Sequence, residues 1–330
     1  MAKPQLPQLK LPGIDNLLQA NKGLTAVVKK EISDHLSGKR FIILVVLVVI
    51  ACLASLYIAA TAIREAGTDN FAFLKMFTVA GSKLPFSFTA FISFLGPLIG
   101  LIMGFDAISG ERDRGTLSHV LSQPIYRDAL INGKFIAGVA VLAMVIFGLG
   151  LLTGALGILI FGVPPTLSEF LRIITFLLLS IVYISFWLAL SLLFSIVFRQ
   201  TTTSALAGIA LWLFFSLFAT FLVGMIADAI FPVSDNSSAS QILKNARLNH
   251  LLGRLCPNYL YDEATVTLMN PSVRALGVVT LEQLLGAIDA PLTYGQSLLL
   301  IWPHVVGLIA ATLICFAVAY YAFMRQEIRA

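Results

Sequence analysis

Gly104-Phe105-Asp106-Ala107-Ile108-Ser109-Gly110-Glu111-Arg112-Asp113-Arg114-Gly115-Thr116-Leu117 is a charged stretch held between two long apolar runs. The hydrocarbon of a bilayer excludes such a cluster, so the stretch must form a loop that water reaches. What surrounds it is built for lipid. Hydrophobic residues make up 58% of the 330 residues, charged residues only 12%, and the mean hydropathy is +0.91. A soluble domain carries about 25% charged residues, so polar surface here is too scarce to coat a globule of this size. The chain reads as an all-α integral membrane protein.

Outward from the loop, apolar runs long enough to cross a bilayer fall at approximately 41–62, 85–105, 131–161, 171–197, 204–231 and 297–323. Six crossings return both termini to one side. The segments 1–40, 106–134, 198–203 and 324–330 carry fourteen lysines and arginines, against seven on 63–84, 162–170 and 232–296. That bias predicts cytosolic termini and a multi-pass protein of the plasma or inner membrane. It also assigns the net charge of +5 to topology, so no nucleic-acid partner is expected. About 40 mostly polar residues precede the first run, and no cleaved signal is expected.

Residues 1–40 read as a cytosolic segment and 41–330 as one transmembrane domain, with 232–296 outside. Within the first, Ile14, Leu17, Leu18, Leu24, Val27, Val28, Ile32 and Leu36 recur near helical spacing between lysines. This predicts an amphipathic helix, either lying on the inner leaflet or packed on a partner protein. Pro232, Asp235-Asn236-Ser237-Ser238 and Asn270-Pro271 cut 232–296 into short helical stretches, with Leu243, Leu248, Leu251, Leu252 and Leu255 expected to face the span ends. Asn236-Ser237-Ser238 is a glycosylation sequon, usable where the host glycosylates that side.

Sites for chemistry are sparse. Gly38-Lys39 and Gly133-Lys134 lack the spacing of a phosphate-binding GxxxxGK[ST] loop, and neither GxSxG nor HExxH occurs. Cys52, Cys256 and Cys315 and the four histidines His35, His119, His250 and His304 are scattered, which predicts no metal or disulfide framework. Asp262 and Glu263 are adjacent and point to different faces of a helix. No ionisable residue falls at mid-span, which disfavours an ion-coupled carrier; Asp228, about a turn from an outer span end, is the weak candidate for a substrate path. Gly96, Gly100 and Gly104 make a close-approach stripe on the second span. Past Gly115, residues 116–124 read as a short helix capped by Thr116 and stopped by Pro124, with Leu117, Val120 and Leu121 on one face. Chemistry alone leaves that helix either in a partner's groove or on lipid headgroups.

The run 105–117, followed by Leu121-Ser122-Gln123-Pro124-Ile125-Tyr126-Arg127 and Gly133-Lys134-Phe135, closely resembles the first inner loop of ABC-2-type transporter permeases. The similarity is greatest to the six-span branch that includes the permease of the nitrous oxide reductase copper-maturation system and the bacitracin-type efflux permeases. Lys30-Glu31, Thr201-Thr202-Thr203-Ser204-Ala205, Pro257-Asn258-Tyr259-Leu260-Tyr261 and Asn270-Pro271-Ser272 extend the match. The resemblance implies a non-catalytic permease half that pairs with a second permease chain, identical or related. ATP and Mg2+ would be bound by separate ATPase subunits, with no cofactor in this chain. Glu111, Arg112, Arg114, Gly115, Thr116, Leu117, Val120, Leu121, Pro124 and Arg127 would form the coupling element received by the ATPase. Export is the expected activity. The alternatives are a mechanical complex acting on an extracytoplasmic partner and, from another class, an ion-coupled secondary carrier.

Overall fold

The computed structural model describes residues 14–66, 71–78, 87–117, 122, 126–162, 164–234, 237–272 and 291–326. Helix α1 (Ile14–Ser37) runs into α2 (Lys39–Ala66), the first span; short α3 (Ala72–Thr78) precedes α4 (Phe88–Gly104), the second. A single turn, α5 (Ser109–Asp113), leads to α6 (Arg127–Phe161) and α7 (Leu167–Val197), spans three and four. Span five is α8 (Thr201–Ile230), helical throughout but carrying a π turn at Phe214–Phe218. Helices α9 (Ala239–Gly253) and α10 (Pro257–Met269) then precede α11 (Tyr294–Arg325), the last span. Among the described residues six helices are thus long and apolar enough to cross a membrane, as the hydropathy predicts.

Several spans begin earlier than hydropathy alone places them, because caps rather than lipid contact decide where a helix starts. In α7 the capping box of Thr166 and Glu169 starts the helix before Leu171: Thr166 N donates to Glu169 Oε2 at 2.9 Å. Likewise Thr293 and Gln296 box the start of α11.

Helix α7 is the hub. Of its apolar stretch 72% is buried, against 11% for α8, which lies at the edge of one copy of the chain. The glycine stripe of α4 is spent on α7. A Cβ at Gly100 would lie 2.7 Å from Ile184 O, and one at Gly104 would lie 2.7 Å from Ser191 Cβ. The second and fourth spans therefore meet backbone to backbone, and Ser191 Oγ donates to Leu101 O at 2.8 Å across the contact.

The α9–α10 pair corrects one expectation. Leu251 and Leu255 do not face the bundle; they are 62% and 78% exposed, while Asn245 and Gly253 of the same region pack inward. Helix α10 instead supplies the contact. Tyr261, fully buried, stacks on Tyr183 of α7 at 4.2 Å and shares a 2.8 Å hydrogen bond with Ser180 Oγ. Arg172, at the span edge in the sequence, is a buried clasp. Its Nη1 donates to Leu268 O at 2.7 Å and Ser297 Oγ at 2.9 Å, and its Nη2 to Leu292 O at 2.7 Å. One guanidinium thus joins α7, the last turn of α10 and the start of α11, where the α10 carbonyls favour a cation.

Candidate functional site

Helix α1, α5, the starts of α6 and α8 and the end of α11 gather at one end of the bundle. Here α1 packs on α6, with Val27 buried in an apolar cluster that includes Leu130 and Ile131. Gly133 permits the approach, since a Cβ there would lie 2.6 Å from Val27 Cγ1. The contact brings three distant charges together. Lys134 Nζ sits 2.8 Å from Glu31 Oε1 and 2.8 Å from Glu111 Oε1, all three residues being buried. Lys30, at 3.3 Å from Glu31, supplies a second, half-exposed cation. Two carboxylates and two ammoniums balance, as burial of charge requires.

Burial alone would push the Glu31 carboxyl up; the charge and hydrogen bond of Lys134, then those of Lys30, outweigh it and hold the group below the usual range. Burial acts on Lys30 in the opposite sense and is overcome by Glu31, Glu111 and Asp34, so its ammonium is held above the ordinary lysine value. Glu111, whose Oε2 has no protein partner, lines a small cavity of about 170 Å³ beside Lys134.

The charged loop is lashed down on all sides. Ser195 Oγ of α7 accepts from Ile108 N and Ser109 N, both at 2.9 Å. The Asp113 carboxylate caps α8 through Thr201 N at 3.0 Å. Arg112 Nη2 donates to Gln326 Oε1 at 2.7 Å and Arg127 Nη1 to Gln326 O at 3.2 Å, tying the loop to the end of α11. Gly115, with φ of +68°, takes the left-handed conformation that ends α5, and Thr116 N closes on Glu111 O at 2.9 Å.

The expected coupling residues therefore divide. Arg114, Gly115 and Thr116 are exposed and form a tip. Glu111 and Leu117 face inward: Glu111 is held by Lys134, and Leu117 packs with Ile108, Leu192 and Ile196. Neither offers itself outward as the sequence reading expects. Val120, Leu121 and Pro124 lie outside the described residues, as do Asn236 and most of the predicted 116–124 helix. Glu31 and Lys134 were missed as site residues; Lys134 carried a signal as a charge at the mouth of an apolar run, whereas Glu31 lies among Lys29, Lys30 and Asp34 and carried none beyond the family pattern.

At the opposite end, α3, α4, the π turn of α8, α9 and α10 enclose a cavity of about 770 Å³. Asp228 does not line it; its carboxylate accepts from Asn245 Nδ2 at 2.8 Å, fastening α9 to the end of α8. The acidic residue that does line it is Asp262, whose Oδ1 accepts from Ser93 Oγ at 2.6 Å. Asp262 opens onto the cavity yet has protein close around it, and this desolvation pushes its carboxyl up to about 6 against the Ser93 hydrogen bond.

Glu263, on the other face of α10, has the contrary setting. Its oxygens lie 2.6 Å from His304 Nε2 of α11, 3.1 Å from His250 Nε2 and 3.2 Å from Arg254 Nε of α9. Burial would push the Glu263 carboxyl up, but the bonds from His304 and Arg254 hold it below the usual range. His304, buried two to three turns into the last span, is an ionisable group the sequence reading passed over.

Residues 25–328 match the family model of the ABC-2 family transporter proteins, and the chain belongs to that family. It is a multi-pass membrane permease subunit of an ABC transporter, a class that works with ATP-binding subunits. It is similar to the "Probable ABC transporter permease protein NosY" of Stutzerimonas stutzeri, 27% identical over 259 residues, or 77% of this chain and 85% of the relative. A protein of the same description from Pseudomonas aeruginosa is 30% identical over 201 residues, 58% of this chain and 66% of that relative.

Proposed function

We propose that the chain is one membrane half of an ATP-driven exporter in the plasma membrane, with both termini in the cytosol. Residues 1–40 form its cytosolic segment and 41–330 its permease domain, and separate ATP-binding subunits dock on 106–127. The observation that carries this reading is the buried junction of Lys134 with Glu31 and Glu111. It joins α1, α5 and α6, while Arg112 and Arg127 add the end of α11. A push on the exposed tip at Arg114, Gly115 and Thr116 then moves α1, α5 and the ends of spans α6 and α11 as one body.

In this scheme Arg114, Gly115 and Thr116, continued by Val120, Leu121 and Pro124, touch the ATPase. Glu111, Arg112, Leu117 and Arg127 hold the tip to the bundle. Nucleotide binding would favour one of two global arrangements of the permease halves. A second permease chain would cover α8, whose apolar stretch is 11% buried in one copy.

The test is an Arg114→Cys variant in a background without the native cysteines. A membrane-impermeant maleimide is expected to spare it in intact cells and label it after lysis, and a cross-linker is expected to join it to the ATP-binding subunit. Labelling in intact cells overturns the orientation; no cross-link in the assembled complex overturns the docking role.

A second reading, a mechanical complex acting on an extracytoplasmic partner, is favoured by one feature. Helix α9 and the turn after it present Ile242, Leu251 and Leu255 outward, at 48%, 62% and 78% exposure, on a platform fixed to α11 through Glu263 and His304. Co-purification of an extracytoplasmic protein, lost in a Leu251→Asp, Leu255→Asp double variant, would support it. ATPase activity stimulated by a solute would count against it.

A further inference from the structure

The two neighbouring carboxylates of α10 are treated in opposite ways. Glu263 collects two histidines and an arginine. Asp262 has one neutral donor, Ser93, and among the described residues no lysine, arginine or histidine within ion-pair distance. Lys75, the one cation among the described residues lining the same cavity, is engaged in an interaction of its own. A carboxylate surrounded by protein without a counter-charge is costly, and two outcomes relieve it: protonation, or a cation brought from outside.

The cavity is shaped for the second outcome. At about 770 Å³ it falls within the range that drug-sized molecules occupy. Its walls are amphipathic. Phe71, Phe94 and Phe215 line it from three separate elements, and aromatic faces attract organic cations. The floor is polar and already organised. Tyr183 OH lies 3.0 Å from both Ser93 O and Asn258 Oδ1, which share its one proton, and Asn258 Nδ2 donates to Ser216 Oγ at 3.1 Å. These bonds link α7, α4, α10 and the π turn of α8. The π turn itself places Phe215 and Ser216 together on the cavity wall, and such turns recur at functional sites.

We propose that this cavity binds an amphipathic organic cation, a single positive charge on an apolar body, with Asp262 as its counter-ion and the phenylalanine rings around its apolar part. The inference builds on the permease reading for what binding is for, but binding itself is a property of this chain alone. The site spans α4, α8 and α10, so an occupant would touch two membrane spans and the far-end platform at once.

Binding is measured by fluorescence anisotropy of rhodamine 6G, a hydrophobic cation, on the full-length purified chain in nanodiscs without ATPase or nucleotide. Carboxyfluorescein serves as the anionic comparison. Saturable binding of the cation is expected, with affinity reduced at least about tenfold in Asp262→Asn and kept within about threefold in Asp262→Glu, which retains the charge. The Glu variant also shows that the loss is electrostatic rather than a failure to fold. Equal affinity in wild type and Asp262→Asn, equal binding of the anion, or no saturable cation binding each overturns the proposal. A failure of the ATPase docking reading would show in cross-linking at the other end and leave these measurements unmoved.

Discussion

The two ends of the bundle solve the same electrostatic problem in opposite ways. At the end that gathers α1, α5 and the end of α11, Lys134 closes on Glu31 and Glu111 inside the protein, and half-exposed Lys30 supplies the fourth charge at its edge. At the other end α10 splits two adjacent acids: Glu263 is held by Arg254 and two histidines, and Asp262 opens into a cavity with no cation paired to it among the described residues. A closed network transmits displacement because breaking it costs more than moving it. An open carboxylate is receptive because its charge is unanswered. The difference separates a region fit to carry force from one fit to meet a ligand.

The largest effect that would break this comparison is Lys134→Met. It leaves two buried carboxylates without their cation and is expected to cost about 3–5 kcal/mol in chemical denaturation. The triple variant Lys134→Met, Glu31→Gln, Glu111→Gln should recover most of that stability. If the network is a coupling device, ATPase activity of the assembled complex should nevertheless stop responding to transport. Full coupling in the stable triple variant would reduce the cluster to a packing element.

Next in size is Gly100→Val, which forces α4 off α7 where a Cβ would already lie 2.7 Å from a backbone oxygen. A loss of about 1–3 kcal/mol is expected, read by thermal unfolding. Gly148 and Gly154 have nothing within 4 Å of a built Cβ, so alanine there should be tolerated.

The paired acids of α10 sharpen the comparison through pH. The Asp262 carboxyl is raised to about 6, so its contribution favours the fold at low pH and is lost as pH rises through about 6. The Glu263 carboxyl is lowered, so its contribution is present above the ordinary glutamate range and is lost as pH falls through the lowered value. The ligand-free melting temperature should therefore decline between about pH 4 and pH 6 in wild type but not in Asp262→Asn. Glu263→Gln should instead remove part of the decline in acid. Parallel behaviour of the two variants would show that the acids do not occupy the contrasting environments described.

The smallest structural effect belongs to Arg114→Ala. An exposed tip residue should change stability by no more than about 0.5 kcal/mol. Its consequence is expected in the assembled complex, as weaker association with the ATP-binding subunit by co-purification. A large stability loss would mean that the tip is part of the core.

Much of this was legible in the chain. The six spans follow from apolar runs, and the loop after the second from a charge density that lipid refuses. The elements of the family pattern were visible singly: Lys30-Glu31, Glu111 and Gly133-Lys134. Their convergence was not, because Glu31 and Lys134 are 103 residues apart and hydropathy carries no information about which helix meets which. The same blindness hid Arg172, a charge at the edge of the fourth apolar run that the tertiary structure turns into a buried clasp. It also favoured Asp228 over Asp262, since distance from a span end cannot show which acid faces a cavity.

By itself the sequence determined how many helices cross the bilayer, where the charged loop must fall and which residues carry the family pattern, because transfer into lipid acts on each segment separately. Only the tertiary structure decided which charges are paired, which face is open and which acid stands alone. Those outcomes depend on how close two helices approach, and the approach is set by glycines and side chains far apart in the chain.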